Sequence, residues 1–520
     1  MHSIDFGKIK YDAGPAAPSS PQRVEADLCI YGATSAGIAA AIQAKRMGLR
    51  VVIAEFGRHL GGLTTGGLGA TDIGNKAAIG GIAREFYRAV GSHYGSTEPD
   101  GTMWTFEPST AKRIYEEWLQ SAEVAVYFGQ QLDRVEQKEG KLSELVMTSG
   151  SRFSAPMFID ATYEGDLLAR AGVAYHVGRE ANSLYRETLN GVHYGHPNHN
   201  FKAWVDPYVI PGKPDSGLLP GVTEAPLLRQ GDGDSSVQAY NFRICLTNVP
   251  ENRIPIAQPP GYDPQTYTLL ARYIEAGVWD ALRLLKMMPN GKTDLNNFGA
   301  VSTDHIGGSD HWPEGDAKTR ERLFQEHLRY NMGMLYFLTH DSRVPEPIRR
   351  EAAQWGLPAD EYTDSGHWTP QLYIREARRM VSEVVMTEHH CRGYAVVDDP
   401  VGLAAYTMDS HNCRRLVIDG RCINEGNVEV APSAPYPISY RAIVPKQEQC
   451  ANLLVPVCLS ASHIAFGSIR MEPVFMILGQ SAATAAALAL EAGCAVQEVE
   501  YGKLRTKLLE DKQVIAWNKS

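Results

Sequence analysis

Two short segments place an aspartate close to a histidine, a combination suited to moving a proton. The segment YTMDSHNCRR contains Asp409 and His411, and the segment VSTDHIGGSDHW contains Asp304 and His305. An aspartate near a histidine can orient the imidazole, which then accepts a proton as a general base. We therefore predict that His411 or His305 is the base of a reaction. Solvated loops without a catalytic role are the alternative interpretation of both segments.

A run of arginines could bind the reactant. The segment QLYIREARRM predicts a helix in which Arg375 and Arg378 share one face, because they are three residues apart. A buried Arg375 would anchor a carboxylate or another polar substrate. Salt bridges to Glu376 and Glu383 are the alternative use of these arginines.

A strand–turn–helix–strand unit in residues 27–57 could position a cofactor. The apolar run DLCIY ends at Gly32, AGIAAAIQAKRM predicts a helix, and RVVIAE is a second strand that ends at Glu55. In such a unit the helix N-terminus binds a diphosphate and the terminal acid accepts hydrogen bonds from a ribose. Thr34 replaces the middle glycine of the usual G-x-G-x-x-G pattern, and its hydroxyl could donate to a phosphate oxygen. An ordinary βαβ crossover is the alternative.

Two further segments favour FAD over NAD. Eight glycines lie between Gly61 and Gly81, and such backbone lets a flat ring or a phosphate approach closely. Near the C-terminus, a helix with Pro473 at its start carries a face of small residues and could direct its N-terminus at an electron-rich group. Between them, residues 124–162 alternate β-prone runs with turns and predict a small β-meander. A surface loop and a plain core helix are the alternatives for the first two segments.

Composition narrows the class of protein. The formal net charge is −10, with 44% hydrophobic and 21% charged residues, which excludes a basic nucleic-acid-binding protein. The longest apolar stretch, residues 476–490, is 15 residues long, below the roughly 18 needed to span a membrane. The first 25 residues lack a signal-peptide run and end in a Pro/Ser/Ala linker, and the eight cysteines form no C-x-x-C pair. We expect a soluble cytoplasmic protein with no metal, membrane or nucleic-acid partner.

Taken together, these segments resemble the FAD-dependent oxidoreductase family of the glutathione-reductase-like flavoprotein superfamily. The resemblance extends from about residue 26 to 490 and is carried by the Gly32/Gly37/Glu55 unit, HLGGLTTGGLGATD, FIDATYEGDLLARAGV, VQAYNFRICLT, YIREARRM, YTMDSHNCRR and SASHIAFGSIRMEP. It implies that a C-terminal segment returns to the N-terminal FAD-binding domain and contacts the isoalloxazine. Thr34 and Tyr163 stand where many members have glycine, and both departures bear on the geometry of the cofactor.

The resemblance also implies particular contacts. It places His463 beside the flavin, where this histidine could touch flavin or substrate or could be purely structural. The implied cofactor-binding residues are Gly32, Ala33, Thr34, Ser35, Ala36, Gly37, Glu55, Arg58, Gly61, Gly62, Leu63, Thr64, Thr65, Ala161, Thr162, Ser468, Ile469, Arg470 and Met471.

The predicted fold is α/β, with a Rossmann-like FAD-binding domain built from N- and C-terminal segments and an inserted α+β substrate domain. We place an N-terminal arm at 1–25, the FAD-binding domain at 26–165 and 444–500, the substrate domain at 166–443 and a tail at 501–520. The expected function is oxidation of a small polar, hydroxylated or sugar-like metabolite by hydride transfer to flavin N5, with dioxygen or a carrier as electron acceptor. An NAD(P)H-dependent flavin monooxygenase and a non-catalytic dinucleotide-binding module are the alternatives.

Overall fold

The computed structural model describes residues 3–11, 20–282 and 286–517. The predicted Pro/Ser/Ala linker falls mainly on residues 12–19 and so lies outside the described residues. Residues Phe6–Lys8 form a single 3-10 turn ahead of the first strand. The helices are α1 (Ser35–Arg46), α2 (Gly62–Thr65), α3 (Gly81–Tyr94), α4 (Pro108–Ser121), α5 (Asp166–Arg170), α6 (Asn182–Tyr185), α7 (Thr268–Glu275), α8 (Ala317–His340), α9 (Glu346–Ala352), α10 (Glu388–Cys391), α11 (His463–Ile469), α12 (Glu472–Ala492) and α13 (Tyr501–Glu510).

Most strands are short and pair in small ladders. They are β1 (Arg23–Glu25), β2 (Leu28–Tyr31), β3 (Val51–Ala54), β4 (Ala125–Tyr127), β5 (Leu132–Lys138), β6 (Lys141–Met147), β7 (Arg152–Ser154), β8 (Met157–Asp160), β9 (Tyr175–His176), β10 (Ile244–Thr247), β11 (Arg253–Ile254), β12 (Met287–Met288), β13 (Lys292–Leu295), β14 (Leu357–Pro358), β15 (Arg379–Met380), β16 (Pro400–Ala404), β17 (Met408–Ser410), β18 (Arg414–Ile418), β19 (Arg421–Glu425), β20 (Val428–Val430), β21 (Tyr436–Ser439) and β22 (Leu453–Leu454).

A five-stranded parallel sheet, in the order β22-β8-β2-β3-β4, forms the centre of the predicted FAD-binding domain. We call this part of the molecule the cofactor half. Strands β2, β3 and β8 are buried along their whole length, which explains their uninterrupted apolar sequences. Because the strands are parallel and in register, their carboxyl ends meet at one edge, where Gly32, Glu55 and Ala161 follow. The strand–turn–helix–strand unit predicted for residues 27–57 is confirmed, and the fold is mixed α/β with a parallel sheet.

The predicted meander is also present. Strands β5, β6 and β7 form an antiparallel ladder, and β1 joins β7 in parallel to complete a four-stranded sheet. The apolar sides of this sheet and the end of the parallel sheet share a small core that includes Phe153, Phe158 and Leu453. The meander therefore braces the edge of the cofactor half.

Helix α12 is the apolar helix expected near the C-terminus, and it extends beyond the apolar stretch 476–490 at both ends. It has 21 residues and is apolar and long enough to cross a membrane, but 89% of its most apolar window is buried inside the protein. It packs along α1, and Gly402 of β16 approaches Ile477 on its surface. The helix is thus part of the protein core.

One correction concerns the arginine-rich segment QLYIREARRM. Residues 371–378 are irregular rather than helical, apart from a β-bridge at Tyr373, and only the last two residues of the segment form a strand, β15. Arg375 pairs with the buried Asp304 in a loop, and Arg378 pairs with Asp166 at the start of α5. These distant acids draw the two side chains apart, and a helix would have put them on one face.

Residues from the predicted substrate domain and from the cofactor half contribute to one continuous hydrophobic core. Strand β16, for example, lies within the predicted insert, yet the Val401 carbonyl accepts a hydrogen bond from Ser481 of α12 at 2.8 Å. The boundaries at 166 and 443 therefore stay predictions.

Candidate functional site

A cavity of about 400 Å³ lies at the sheet edge where β2, β3 and β8 end. The predicted cofactor-binding residues that line it are Gly32, Ala33, Thr34, Glu55, Arg58, Gly62 and Thr162. Ser35, Ala36, Gly37, Gly61, Leu63, Thr64, Thr65 and Ala161 are buried in the turns that adjoin these residues. Segments separated by more than a hundred residues therefore converge where a parallel sheet of this type binds a dinucleotide.

Three glycines allow the backbone to pack closely around this edge. Gly32 has a φ of 104°, and a Cβ there would lie 2.9 Å from the backbone of Ala161. A Cβ on Gly37 would overlap the carbonyl of Gly32, and one on Gly479 would overlap the carbonyl of Ala36. Helix α1 can therefore pack directly on β8 and α12, while the turn before it stays open to the cavity. Unpaired N–H groups at such a helix start attract a diphosphate, so the residues present fit the ADP half of FAD.

Thr34 completes the fingerprint by capping α1. Its hydroxyl donates to the carbonyl of Ala161 at 2.7 Å and accepts from the N–H of Gly37 at 3.3 Å. The single hydroxyl proton is thus used inside the protein, so the structure does not bear out our expectation that it donates to a phosphate. Thr34 ties the end of β8 to the start of the helix.

Glu55 occupies the position expected for a ribose-binding acid. Its carboxylate accepts hydrogen bonds from the N–H groups of Ala33, at 2.6 Å, and Gly57, at 2.8 Å. Burial raises the pKa of Glu55 to about 7, although the two N–H groups favour the charged form. The remaining lone pairs of a charged Glu55 can accept hydrogen bonds from vicinal hydroxyls at the cavity wall.

The glycine-rich segment folds back on Tyr163. Gly61 and Gly62 adopt positive φ values of 93° and 55° and begin the short helix α2. The Tyr163 hydroxyl accepts from the N–H of Leu63 at 2.9 Å and donates to Glu472 at 2.7 Å. The tyrosine that departs from the usual glycine therefore links α2 to the start of α12.

Glu472 gathers three segments around its carboxylate. It accepts hydrogen bonds from Ser35 and Thr64, both at 2.6 Å, in addition to Tyr163. Burial raises the pKa of Glu472, and the three hydroxyls oppose that rise. This buried acid fastens the fingerprint helix, α2 and the end of β8 to α12.

A second cluster of charged side chains surrounds His411. Its Nδ1 lies 2.8 Å from Asp304 Oδ2, and its Nε2 lies 3.2 Å from Asp409 Oδ2. Arg375 lies 2.9 Å from Asp304, and Arg470 lies 3.0 Å from Asp409. All five residues belong to the buried or nearly buried part of the protein. Each aspartate thus holds one arginine and one nitrogen of the same imidazole.

Electrostatics keep both acids ionised. Burial alone would raise the pKa of Asp409, but the attraction of His411 and Arg470 outweighs it and holds the pKa below its usual range. In the same way, Arg375 and His411 outweigh burial at Asp304 and lower its pKa. The two aspartate charges are thus held between the two arginines and the His411 imidazole.

The cluster also retains unused hydrogen-bond donors. Arg470 donates to the Tyr373 hydroxyl at 2.9 Å, and the Arg375 guanidinium lies 4.5 Å from the centre of the Tyr373 ring. The Nε atoms of both arginines and the side-chain nitrogen of Gln238 are buried and have no hydrogen-bond partner in the described part of the chain. Buried donors without partners are costly, and they are usually satisfied by ordered water or by a bound molecule.

Two chain segments join the cavity to this cluster. Pro370 and Gln371 line the cavity, and Tyr373 and Arg375 belong to the cluster. Arg470 lies in the cluster, and Glu472, two residues later, holds the fingerprint. Since consecutive Cα atoms are about 3.8 Å apart, both segments cross from one site to the other within a few residues.

The other predicted contacts of the C-terminal segment surround Arg470. The Ser468 hydroxyl accepts from Tyr436 at 2.7 Å, Ile469 and Met471 are buried, and the N–H of Met471 bonds to the Ile469 carbonyl at 2.7 Å. Gly467 contacts the backbone of Asp409, since a Cβ there would overlap its carbonyl. This contact brings the end of α11 to β17 and so places Arg470 beside Asp409.

The structure separates the remaining histidine candidates from this cluster. His305 stacks on Tyr330 with ring centres 4.5 Å apart, and burial lowers its pKa to about 3, so it stays neutral in an aromatic core. His463 lies between Glu376, at 2.8 Å, and Ser410, at 2.9 Å, and so belongs to a different hydrogen-bonded group. Of the three, His411 alone is joined to the Asp304 and Asp409 pair.

Sequence reasoning missed Glu472 and Tyr373. A carboxylate at the first residue of a mainly apolar helix is a signal that could have indicated Glu472. Tyr373 lies beside Arg375 in a segment read as helical, and the wrong secondary structure hid its role. The N-terminal residues Lys8, Lys10 and Tyr11 also line the cavity, and nothing in their sequence pointed there.

Comparison with known proteins agrees with the geometry. A family model described as FAD dependent oxidoreductase matches residues 27–508. Comparison with curated proteins finds no match. Similar solved structures include THI4 of Thermovibrio ammonificans (19% identity, TM-score 0.23, covering 32% of this chain and 71% of that one) and L-amino acid deaminase from Proteus vulgaris (15%, 0.24, 35% and 56%).

A third similar structure is 3-ketosteroid-delta4-(5alpha)-dehydrogenase from Rhodococcus jostii RHA1, at 14% identity and a TM-score of 0.20. This chain spans about half of that enzyme, 49% of its length, and the similar region is 29% of this chain. These likenesses are local, so the assignment rests on the family model and on the site. Because that model covers nearly the whole sequence, the chain belongs to the FAD dependent oxidoreductase family.

Proposed function

We propose that the protein oxidises a small, neutral, hydroxylated or sugar-like metabolite, with His411 as the base. The observation that carries this proposal is the buried cluster in which His411 lies between Asp304 and Asp409, next to two arginines with unused donors. The chemistry that FAD supplies when bound is acceptance of a hydride at N5, with later reoxidation by dioxygen or a carrier. The cofactor would be held by the residues around the 400 Å³ cavity.

The proton of the substrate hydroxyl goes to the imidazole. Asp304 accepts the Nδ1 proton of His411 and fixes its orientation, which leaves Nε2 to take the proton as the C–H bond breaks and the carbonyl forms. Asp409, 3.2 Å from Nε2, stabilises the positive imidazole that results. Asp304 thus orients the ring before the proton transfer, and Asp409 stabilises the charged ring after it.

Charge balance supports a neutral substrate. Arg375 and Arg470 are each compensated by an aspartate, so the cluster offers no excess positive charge to a carboxylate. Their free Nε donors and the Gln238 amide can still donate to hydroxyl oxygens. An acid substrate would have to displace one of the aspartates from its arginine.

Anaerobic bleaching of the flavin absorbance tests the proposal. Protein loaded with FAD should bleach with a neutral sugar or polyol and respond weakly to matched hydroxy acids and amines. Bleaching by hydroxy acids or amines alone would overturn the substrate class. Rapid bleaching by NADPH without any metabolite would instead favour a monooxygenase.

The roles proposed for the two groups of residues also bear on the domain arrangement. We infer that residues 166–443 supply the substrate site and that the flanking segments hold FAD in a glutathione-reductase-like arrangement. His411, Asp304 and Arg375 come from the first range, and Gly32, Glu55 and Glu472 come from the second. Variants of the first group should slow reduction while FAD is retained, and variants of the second should release FAD; the reverse pattern would overturn this division.

We also infer a reducing cytoplasmic setting. All eight cysteines are unpaired thiols, and seven of them are buried. A fluorescent fusion observed by microscopy should be distributed through the cytoplasm, and a membrane or extracellular signal would contradict this location.

A further inference from the structure

The N-terminal residues 5–11 lie across the cavity assigned to the cofactor. Gly7, Lys8, Lys10 and Tyr11 line it together with residues of the fingerprint turn. We call residues 5–11 the arm. The arm precedes the first strand and was not part of the predicted FAD-binding domain.

The arm is docked at both ends. At one end, a Cβ on Gly366 would overlap the carbonyl of Asp5, and Gly366 has a φ of 69°, so this close contact needs glycine. Farther along, the Ile9 carbonyl accepts from Gln325 of α8 at 2.8 Å, and Ile9 itself is fully buried. The arm therefore spans from the loop around residue 366 to helix α8.

Tyr11 fixes the end of the arm beside the fingerprint. Its N–H donates to Glu321 at 2.9 Å, and its hydroxyl donates to Glu164 at 3.0 Å. Its ring lies 5.0 Å from Phe56 and packs edge-on against Trp312 at 4.9 Å. Phe56 directly follows the ribose-binding position Glu55, so this end of the arm is coupled to the cavity wall.

The acidic side chains around the cavity have hydrogen-bond or ion-pair partners, whereas three basic side chains form no ion pair within the described residues. Among its acids, Asp364 pairs with Lys112 at 2.9 Å, Glu164 accepts from Tyr11, and Glu55 accepts from two backbone N–H groups. In contrast, Lys8, Lys10 and Arg58 are exposed and form no ion pair within the described residues. Cations without partners beside a cavity whose acids are occupied favour an anionic ligand.

We propose that the arm is part of the cofactor site, in which Lys8 and Lys10 bind the anionic diphosphate portion of FAD and the arm closes over it. The proposal rests on the use of FAD and on this cavity being the cofactor cleft. Lysine acts here as a flexible point charge, which suits a diphosphate on the solvent side of the cleft. The helix start of α1 would face the same group from the other side.

The test measures the Kd of FAD for the apoprotein from the quenching of flavin fluorescence. The double variant Lys8→Glu/Lys10→Glu should raise the Kd about tenfold or more, because two attractive charges become repulsive. Lys8→Gln/Lys10→Gln should have a smaller effect in the same direction and should lessen the salt dependence of the Kd. The matched control is Lys138→Glu/Lys213→Glu, two exposed lysines away from the cavity, which should leave the Kd unchanged.

Proteolysis gives an independent measurement on the unaltered protein. FAD should slow tryptic cleavage after Lys8 and Lys10, read by mass spectrometry, more than cleavage after Arg229, which lies in an exposed loop away from the cavity. An unchanged Kd in both Lys8/Lys10 double variants, or equal protection at Lys10 and Arg229, would overturn the arm's role. Failure of the unaltered protein to bind FAD at all would overturn the assignment of the cleft itself, and the two failures are therefore distinguishable.

Discussion

The hydroxyl of Ser35 donates to the carboxylate of Glu472 at 2.6 Å, across 437 residues of sequence. Ser35 is the first residue of α1 and Glu472 the first of α12, so the two helices start side by side. Thr64 and Tyr163 also donate hydrogen bonds to this carboxylate. One hydrogen-bonded acid therefore joins three of the segments around the candidate cofactor cavity.

Replacing that acid should destabilise the protein. Glu472→Gln presents an amide nitrogen to hydroxyls that all donate, which leaves a buried donor unsatisfied and should cost about 1–3 kcal/mol in the free energy of unfolding. Urea unfolding of the variant, of Ser35→Ala and of the double variant measures the coupling. Strictly additive effects would show that Ser35 and Glu472 do not interact.

Gly479, the single glycine within α12, should be difficult to replace. A Cβ there would overlap the carbonyl of Ala36, so Gly479→Ala should force α1 and α12 apart, cost about 1–3 kcal/mol and release FAD. Gly502→Ala is the matched control, because Gly502 also lies in a helix, and its nearest contact is a side-chain oxygen at 3.4 Å. The control should stabilise by up to about 1 kcal/mol. Equal thermal stabilities of the two variants would contradict this packing argument.

Thr34, which stands in place of the middle glycine of the fingerprint, can be tested through its hydroxyl. Thr34→Val removes the cap of α1 and the bond to Ala161, and should lower the stability of the apoprotein by about 2 kcal/mol. Thr34→Ser keeps the hydroxyl and should stay within about 0.5 kcal/mol of the original protein. If both variants unfold at the same urea concentration, the hydroxyl has no such role.

Binding of FAD should depend on pH through Glu55. Burial raises the pKa of Glu55 in the apoprotein to about 7, and the ribose hydroxyls need the charged carboxylate as acceptor. The affinity for FAD should therefore weaken as the pH falls below 7, by up to about tenfold per unit. Glu55→Gln should bind more weakly at pH 8 and lose this dependence. A pH profile identical in both proteins, measured by flavin fluorescence, would refute the role of Glu55.

The same shift has a second consequence, for stability without cofactor. The pKa of Glu55 is higher in the folded than in the unfolded chain, so its contribution is fully present below pH 4.5 and is lost as the pH rises through 7. Apoprotein should therefore lose stability across this interval, relative to Glu55→Gln. Urea unfolding at several pH values measures the difference.

His411 should control reduction without controlling cofactor retention. His411→Asn should slow flavin reduction about a hundredfold or more, because Asp304 and Asp409, whose pKa values are lowered, are much weaker bases than an imidazole. FAD content, read from absorbance, should stay unchanged. His340→Asn, at an exposed histidine far along α8, is the control and should reduce at the original rate. An undiminished rate in His411→Asn would remove it as the base.

The parts of the molecule predicted from sequence are those determined by neighbouring residues. The strand, turn and helix around Gly32 follow from local apolar runs and glycine positions, so they were recognisable in a segment of thirty residues. The partnership of His411 with Asp304 spans 107 residues, and no local pattern encodes it. The segment around Arg375 was misread for the same reason, because distant acids rather than helical spacing determine where its arginines point.

The separation of Ser35 from Glu472 also fixes when the protein can acquire its cofactor. Helix α12 begins 437 residues after α1, and until it has been synthesised α1 lacks its α12 partner and the parallel sheet lacks strand β22. If the cavity holds FAD as proposed, a nascent chain that contains only the fingerprint should bind the flavin weakly. We therefore expect stable loading of the flavin to require the later segment to have folded onto the earlier one.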